Sequence, residues 1–342
     1  MLKPIVLLAV LATISWAVSP GRRYKLNIRR VPYRVRAGTT HPFKHNNHDY
    51  FFVSLFTALG SPFQQKEFII DTVASDLEVN VCPNSSPDPK QGTCFNTYRS
   101  STYKKISDKL GSDTLLDAAE EPVQNVTFAT TVKQDAFSGN MGLGMPDKNK
   151  YPGESSGLVY MSGVEPIFSM TISPLGSYGE AEFGASGCGE IPTTIYLTTS
   201  SDQYWQFELE GVKLGRVESF LKTQAVVDTK TEYIGMPKKF LDEFTHEYNI
   251  TWDGLYGAYT IDCNKAANLP DLHFKVPEKH LVIRVEQYIY FDDPLPNGYC
   301  VVNFEDSKKY GFGPEWYFGT QIMTDYCVSF DFTNKRLGFT RS

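Results

Sequence analysis

Twice in this chain an apolar run ends on Asp-Thr: "FIIDT" at residues 68–72 and "AVVDT" at residues 225–229. A carboxylate at the tip of a buried strand is costly unless it is paired or hydrogen-bonded. Two such tips, 157 positions apart, therefore constrain the fold strongly. Each is followed downstream by an apolar-Gly segment, Met141-Gly142 in the first half and Tyr317-Phe318-Gly319 in the second. The pattern reads as a duplication at the scale of a domain, with two like lobes each presenting one Asp to a shared cleft. Carboxylates that share a site cannot both ionise readily, so they hold one proton between them. One can then activate a water while the other donates a proton to a carbonyl. That chemistry is peptide hydrolysis at acid pH, with Asp71 and Asp228 as candidate catalytic residues and no cofactor or metal required.

The length of 342 residues suits about two domains. At 41% hydrophobic and 21% charged residues the chain can bury a core. Its apolar runs are short, rich in Tyr and Phe, and bounded by Gly, Pro or Asn, which favours strands. Tyr50–Thr72 reads as two strands around a turn at Gly60-Ser61-Pro62. Residues 123–133 read as a strand, and residues 165–184 and 204–215 each as two strands around a turn. In 237–248, Phe240, Leu241, Phe244 and Tyr248 fall at helical spacing behind Pro237, and this is the best helix in the chain. The fold class is all-β with a few short helices.

The first seventeen residues, "MLKPIVLLAVLATISWA", have the charged start, short apolar run and small-residue end of a secretory signal peptide. The run is too short to span a membrane, and no later apolar stretch is long enough to span one. Export makes disulfides the default reading of six cysteines. It also makes Asn84, Asn125 and Asn249, each in an N-x-S/T sequon, candidate glycosylation sites. The expected location is extracellular, or lysosomal by way of the secretory pathway.

Eight of the 33 basic residues and none of the 39 acidic ones precede Ala37, which leaves 25 basic against 39 acidic residues, a formal charge of −14 on the rest. A basic arm on an acidic body suggests a segment that docks on its own protein. An acidic body in an exported protein argues against nucleic acid as a partner, and no membrane partner is expected. The glycines at 138–146 follow no phosphate-loop pattern, and neither a Cys-x-x-Cys nor a Gly-x-Ser-x-Gly elbow occurs. His41, His45 and His48 read as a solvated junction rather than a metal site.

From about residue 48 to the end the chain resembles the pepsin-like aspartic peptidase family. The carriers, in order, are "FIIDTVASDLEV", "SGNMGLGM", "GEAEFGASGCG", "YWQFELEGVKLG", "QAVVDTKTEYIGMP" and "EWYFGTQIMTDYCVSFDFTNKRLGF". The resemblance implies a bilobal β structure with a substrate cleft between related lobes and Asp71 and Asp228 as the dyad. Its implied layout is a signal peptide at 1–17, a basic propeptide-like segment at 18–44 that lies over the cleft, an N-terminal lobe at 45–192 and a C-terminal lobe at 193–342. It implies disulfides Cys82–Cys94, Cys263–Cys300 and Cys188–Cys327, and a protein or peptide as substrate or ligand.

The motif itself departs from the family. Asp-Thr-Gly is expected in both lobes, whereas the chain has Asp71-Thr72-Val73 and Asp228-Thr229-Lys230, followed by Thr231. The glycine sits in a tight loop with little room for a side chain, so stiff Val73 is expected to push its loop outward or rotate Asp71. An ammonium beside a carboxylate favours the ionised form, so Lys230 is expected to strip the dyad of its shared proton. The family closes its cleft with a hairpin bearing a Tyr-Gly turn, and none occurs between Cys94 and Gly142. Glu78 replaces the tryptophan that packs with that tyrosine, and Ala74 and Glu232 replace serines. Two readings follow: an aspartic endopeptidase with weakened or lost activity, or an inactive homologue that binds peptides or a protein through the old cleft.

Overall fold

The computed structural model describes residues 22–32, 49–83, 93–116, 122–132, 137–146, 165–173, 178–189, 193–277, 279–292, 294–310 and 313–341. The signal-peptide stretch 1–17, Asn84 and the three histidines lie outside them, as does the basic segment apart from 22–32.

The first half is strands: β1 (Arg22–Pro32), β2 (Asp49–Leu59), β3 (Gln64–Asp71), β4 (Leu77–Asn80), β5 (Lys104–Lys105), β6 (Leu110–Leu116), β7 (Pro122–Thr131), β8 (Gly139–Gly142), β9 (Ile167–Ile172) and β10 (Tyr178–Phe183). The second half continues with β11 (Ile195–Thr198), β12 (Gln206–Leu209), β13 (Gly211–Leu214), β14 (Val217–Ser219), β15 (Thr223–Val227) and β16 (Ile234–Met236). The helix α1 (Lys238–Glu247) precedes β17 (Thr251–Asp253) and β18 (Ala258–Asp262), and α2 (Cys263–Ala266) precedes β19 (Leu272–Val276) and β20 (Lys279–Ile283). After α3 (Val285–Tyr288) come β21 (Tyr299–Val302), β22 (Phe304–Asp306), β23 (Trp316–Phe318), β24 (Tyr326–Asp331) and β25 (Arg336–Arg341). Among the described residues the molecule is all-β with three short α-helices, as the sequence predicts.

One sheet in the order β11-β25-β24-β9-β10-β1-β2-β3-β8-β4-β7-β6-β5 joins the two halves, so the last strands of the chain pair with the end of the first half. The basic strand β1 is part of this sheet: Arg22–Asn27 pair with β10 and Asn27–Pro32 with β2. The second half adds a five-stranded sheet, β12-β15-β23-β16-β22, and two smaller ones.

The suspected duplication is visible in the strand pairings. In the first half β3 runs parallel to β8, β8 antiparallel to β4, and β4 parallel to β7. In the second half β15 runs parallel to β23, β23 antiparallel to β16, and β16 parallel to β22. The apolar-Gly segments are thus the central strands of the two motifs. Their glycines are forced by close approach: a Cβ at Gly142 would collide with the Asp76 carbonyl, and one at Gly319 would stand 2.6 Å from the carbonyls of Thr231 and Tyr233.

Sequence pattern explains the local elements. Strand β3 alternates at first and is then buried throughout from Phe68 to Asp71, as a strand covered on both faces must be. Helix α1 starts after Pro237, buries Leu241 and Phe244, and carries the (i, i+4) pairs Lys238–Asp242 and Lys239–Glu243 outside. Residues 204–215 depart from the expected pair around a turn. The chain makes two strands there, but β12 and β13 belong to different sheets, because both stretches bury side chains and Glu210 marks the crossing from one layer to the next. Trp205 is fully buried where the halves meet. Its indole N–H donates to the Leu143 carbonyl at 2.8 Å, and its ring packs edge-on against Phe330 and Phe332. Three disulfides, Cys82–Cys94, Cys188–Cys327 and Cys263–Cys300, staple the chain.

Candidate active site

Asp71 ends β3 and Asp228 follows β15, and the threonine after each locks the two loops together. The Thr72 N–H donates to Thr229 Oγ1 at 3.1 Å, and the Thr229 N–H donates to Thr72 Oγ1 at 3.1 Å. Each hydroxyl then donates across to the other strand: Thr72 Oγ1 to the Val227 carbonyl and Thr229 Oγ1 to the Ile70 carbonyl, both at 2.8 Å. All four donors and acceptors are buried, so the bonds form away from competing water. This reciprocal knot brings the two acidic tips to one place.

Asp71 Oδ1 accepts from the Val73 N–H at 3.0 Å and from the Ala74 N–H at 2.8 Å. Asp228 Oδ1 accepts one such bond, from the Lys230 N–H at 2.9 Å. The expectation that Val73 would displace its loop is therefore wrong. The N–H bonds to Asp71 and the threonine knot are intact, and neither Val73 nor Lys230 has a positive φ. A glycine's special backbone freedom is not needed at either position. Both side chains find room by facing the cleft, where they line a cavity of about 360 Å³ together with Asp71, Ala74, Ser75, Met145, Gln203, Tyr204 and Asp228.

Lys230 reaches across the cleft. Its Nζ lies 3.2 Å from Asp71 Oδ2, on the opposite lobe, with the lysine side chain 44% exposed and the Asp71 side chain 4% exposed. The expectation that the lysine would strip the proton from the whole pair needs correcting. Burial pushes Asp228 up to about 6, with the Asp71 charge adding to the rise; the Lys230 N–H bond and ammonium oppose it without cancelling it. Desolvation wins at Asp228 because the ammonium is held on the other carboxylate. Behind Asp228 stands Tyr317, on β23, whose hydroxyl is held well above its ordinary range by burial and then by the Asp228 charge.

The remaining motif residues are structural. Thr231 Oγ1 accepts from the Tyr233 N–H at 3.1 Å. Glu232 is buried, and its Oε2 accepts from the Tyr290 hydroxyl at 3.1 Å. Sequence reading singled out Glu232 only as a departure and missed Tyr290, because nothing local ties positions 58 apart. It also missed Tyr204 and Gln203 as cleft residues, although "YWQFELEGVKLG" had marked that stretch for its fold. Between Cys94 and Gly142 the chain forms β5, β6 and β7. Strands β5 and β6 are joined by Ile106–Lys109, and no described residue of these three strands lines the cavity. Of the sequons, Asn125 and Asn249 lie on the surface, both with a left-handed backbone, Asn125 within β7 and Asn249 in the turn after α1. Asp262 caps α2 through the Asn264 N–H.

The sequence profile of the eukaryotic aspartyl protease family matches residues 56–342. The chain is 27% identical to Aspartic protease 1 of Caenorhabditis elegans, over 85% of this chain and 82% of that protein. It is 25% identical to Pepsin A of Gallus gallus, over 83% and 82%. A match at 28% to Aspartic protease 17 of Caenorhabditis elegans spans 52% of this chain and 47% of that protein. With its duplicated strand motif, its paired aspartates and a profile match over most of its length, the chain belongs to the eukaryotic aspartyl protease family.

Proposed function

We propose that this protein is an exported member of the family that binds peptide segments in its cleft without hydrolysing them. The observation that carries this reading is the 3.2 Å ion pair between Lys230 and Asp71. Hydrolysis by a carboxylate pair needs one group to donate a proton and the other to take one from water. The acid half survives in Asp228, which stays protonated up to about pH 6. The base half is occupied: Asp71 Oδ1 already accepts two N–H bonds, and Oδ2 faces an ammonium. A water at Oδ2 competes with a full positive charge for the one oxygen of Asp71 that no N–H bond holds. The cavity keeps apolar walls at Val73, Ala74 and Met145 and polar ones at Gln203 and Tyr204, the mixture a peptide needs.

Export is supported by the leader-like first seventeen residues, the three disulfides and the two sequons placed on the surface. Among the described residues no helix is long and apolar enough to cross a membrane. The test is digestion of a denatured protein at pH 3–5 by the purified chain. Wild type is expected to release no fragments. Cleavage that an aspartic-peptidase inhibitor blocks and Asp71→Asn abolishes would overturn the reading and restore the endopeptidase.

A further inference from the structure

The geometry points to a more specific ligand: a peptide carrying a free carboxylate, which the Lys230 ammonium receives inside the cleft. This rests on the peptide-binding reading above and names the chemistry that the cleft selects. Among the described residues Lys230 is the one cation that lines the cavity. An ammonium has three N–H donors, and the contact with Asp71 Oδ2 uses one. The side chain is nearly half exposed and lines the cavity, so it is accessible to a ligand there. Val73, Ala74 and Met145 offer apolar contact in the same cavity, and Tyr204 and Gln203 line it as well. A charge-assisted bond beside an apolar wall is the usual way to hold a chain end.

Electrostatics decide when such a ligand is welcome. The groups facing Asp228 are Asp71 from the other lobe, Lys230 from its own loop and Tyr317 from β23, with Tyr204 beside Tyr317. Below about pH 6 Asp228 is neutral and adds no negative charge beside the Lys230–Asp71 ion pair. It then offers the lysine donors and the Asp228 O–H to an incoming anion without net repulsion. Above that pH Asp228 is ionised and the site carries an excess negative charge. The acidic body of the protein matters less, because charges beyond about 8 Å are largely screened at physiological salt.

The experiment measures binding of three fluorescent hexapeptides of one apolar sequence to the full chain by anisotropy. One has a free C-terminal carboxylate, one a C-terminal amide, and one an amide end with a central Glu. At pH 5 the free-carboxylate peptide is expected to bind about tenfold more tightly than the plain amide, the scale of one charge-assisted hydrogen bond. The Glu peptide tells a terminal from a side-chain carboxylate, since it matches the first if any carboxylate suffices and the second if only a chain end fits. The preference is expected to vanish in Lys230→Gln, to persist in Lys230→Arg, and to shrink at pH 7.5. Equal binding of all three peptides, or a preference that survives Lys230→Gln, overturns this inference and leaves the peptide-binding reading standing. Failure of every peptide to bind overturns both.

Discussion

Asp71 and Asp228 end equivalent strands in equivalent four-strand motifs, and their electrostatic surroundings are opposite. Asp71 receives two backbone N–H bonds and an ammonium from the other lobe. Asp228 receives one N–H bond, is deeply buried and sits beside the charge of Asp71, so its carboxyl is pushed up to about 6. The strands, the threonines and the glycines of the central strands are the same in both halves. Part of the asymmetry comes from one position, Val73 in the first lobe and Lys230 in the second, and part from the second N–H bond that Asp71 accepts from Ala74. A duplicated scaffold fixes where two carboxylates stand, and a single side chain decides which of them is free to work as a base.

The symmetric part of this comparison carries the largest expected effect. Removing either threonine hydroxyl leaves a buried N–H without its acceptor and a buried carbonyl without its donor, at about 1–3 kcal/mol for each unpaired group. Thr72→Val and Thr229→Val should each cost about 2–6 kcal/mol in urea unfolding, and by similar amounts. If one costs several times the other, the knot is not the reciprocal device described and the lobes are not equivalent at their contact.

The asymmetric part is read by pH. A carboxyl raised from 3.8 in the unfolded chain to about 6 in the native one binds its proton more tightly when folded. Below pH 3.8 both states are protonated and the group contributes nothing. As pH rises towards 6 the unfolded state releases its proton first and stability falls, by roughly 3 kcal/mol in full. Asp228→Asn should lack this loss, so its stability relative to wild type should improve by about that amount between pH 4 and pH 7. A flat difference across this range would show that Asp228 is not the perturbed group.

Lys230→Met probes the contact that separates the two acids. Asp71 keeps its two N–H bonds and loses only the ammonium, which is half solvated, so the stability cost at pH 7 should be modest, about 1 kcal/mol. The clearer readout is Asp228. The lysine charge favours its ionised form, so removing that charge should move the carboxyl's titration, followed by carbon-13 NMR, further above 6. A downward move would contradict the lysine charge as an influence that lowers this carboxyl.

What was legible in the sequence follows a physical boundary. Strand-Asp-Thr followed by apolar-Gly identified the fold and the paired carboxylates because those features are local and repeated. Lys230 was visible as a charge beside a motif, but its partner was not. Its backbone neighbour is Asp228, while its ammonium lies on Asp71 in the other lobe. The outcome for Asp228 also depended on weighing burial against that charge, and burial is a property of the assembled lobes. The same holds for Tyr290 on Glu232 and for β1, a basic segment whose place between β10 and β2 is set by pairing with strands far along the chain.

Val73 carries the smallest expected effect. If the family glycine were kept for its backbone freedom, Val73→Gly would relieve strain and stabilise the protein. The loop here has no positive φ at that residue, and both N–H bonds to Asp71 are made with valine in place. Glycine would widen the conformational freedom of the unfolded chain and remove apolar contact from the cleft wall. Val73→Gly should therefore destabilise the fold by about 0.5–1 kcal/mol, and peptide hydrolysis should not appear, because Lys230 still occupies Asp71. The double change Val73→Gly with Lys230→Gly restores the family motif in both lobes and frees the base. Any inhibitor-sensitive cleavage at acid pH should arise in the double variant and in Lys230→Gly alone, and its appearance in Val73→Gly alone would place the block at the valine instead.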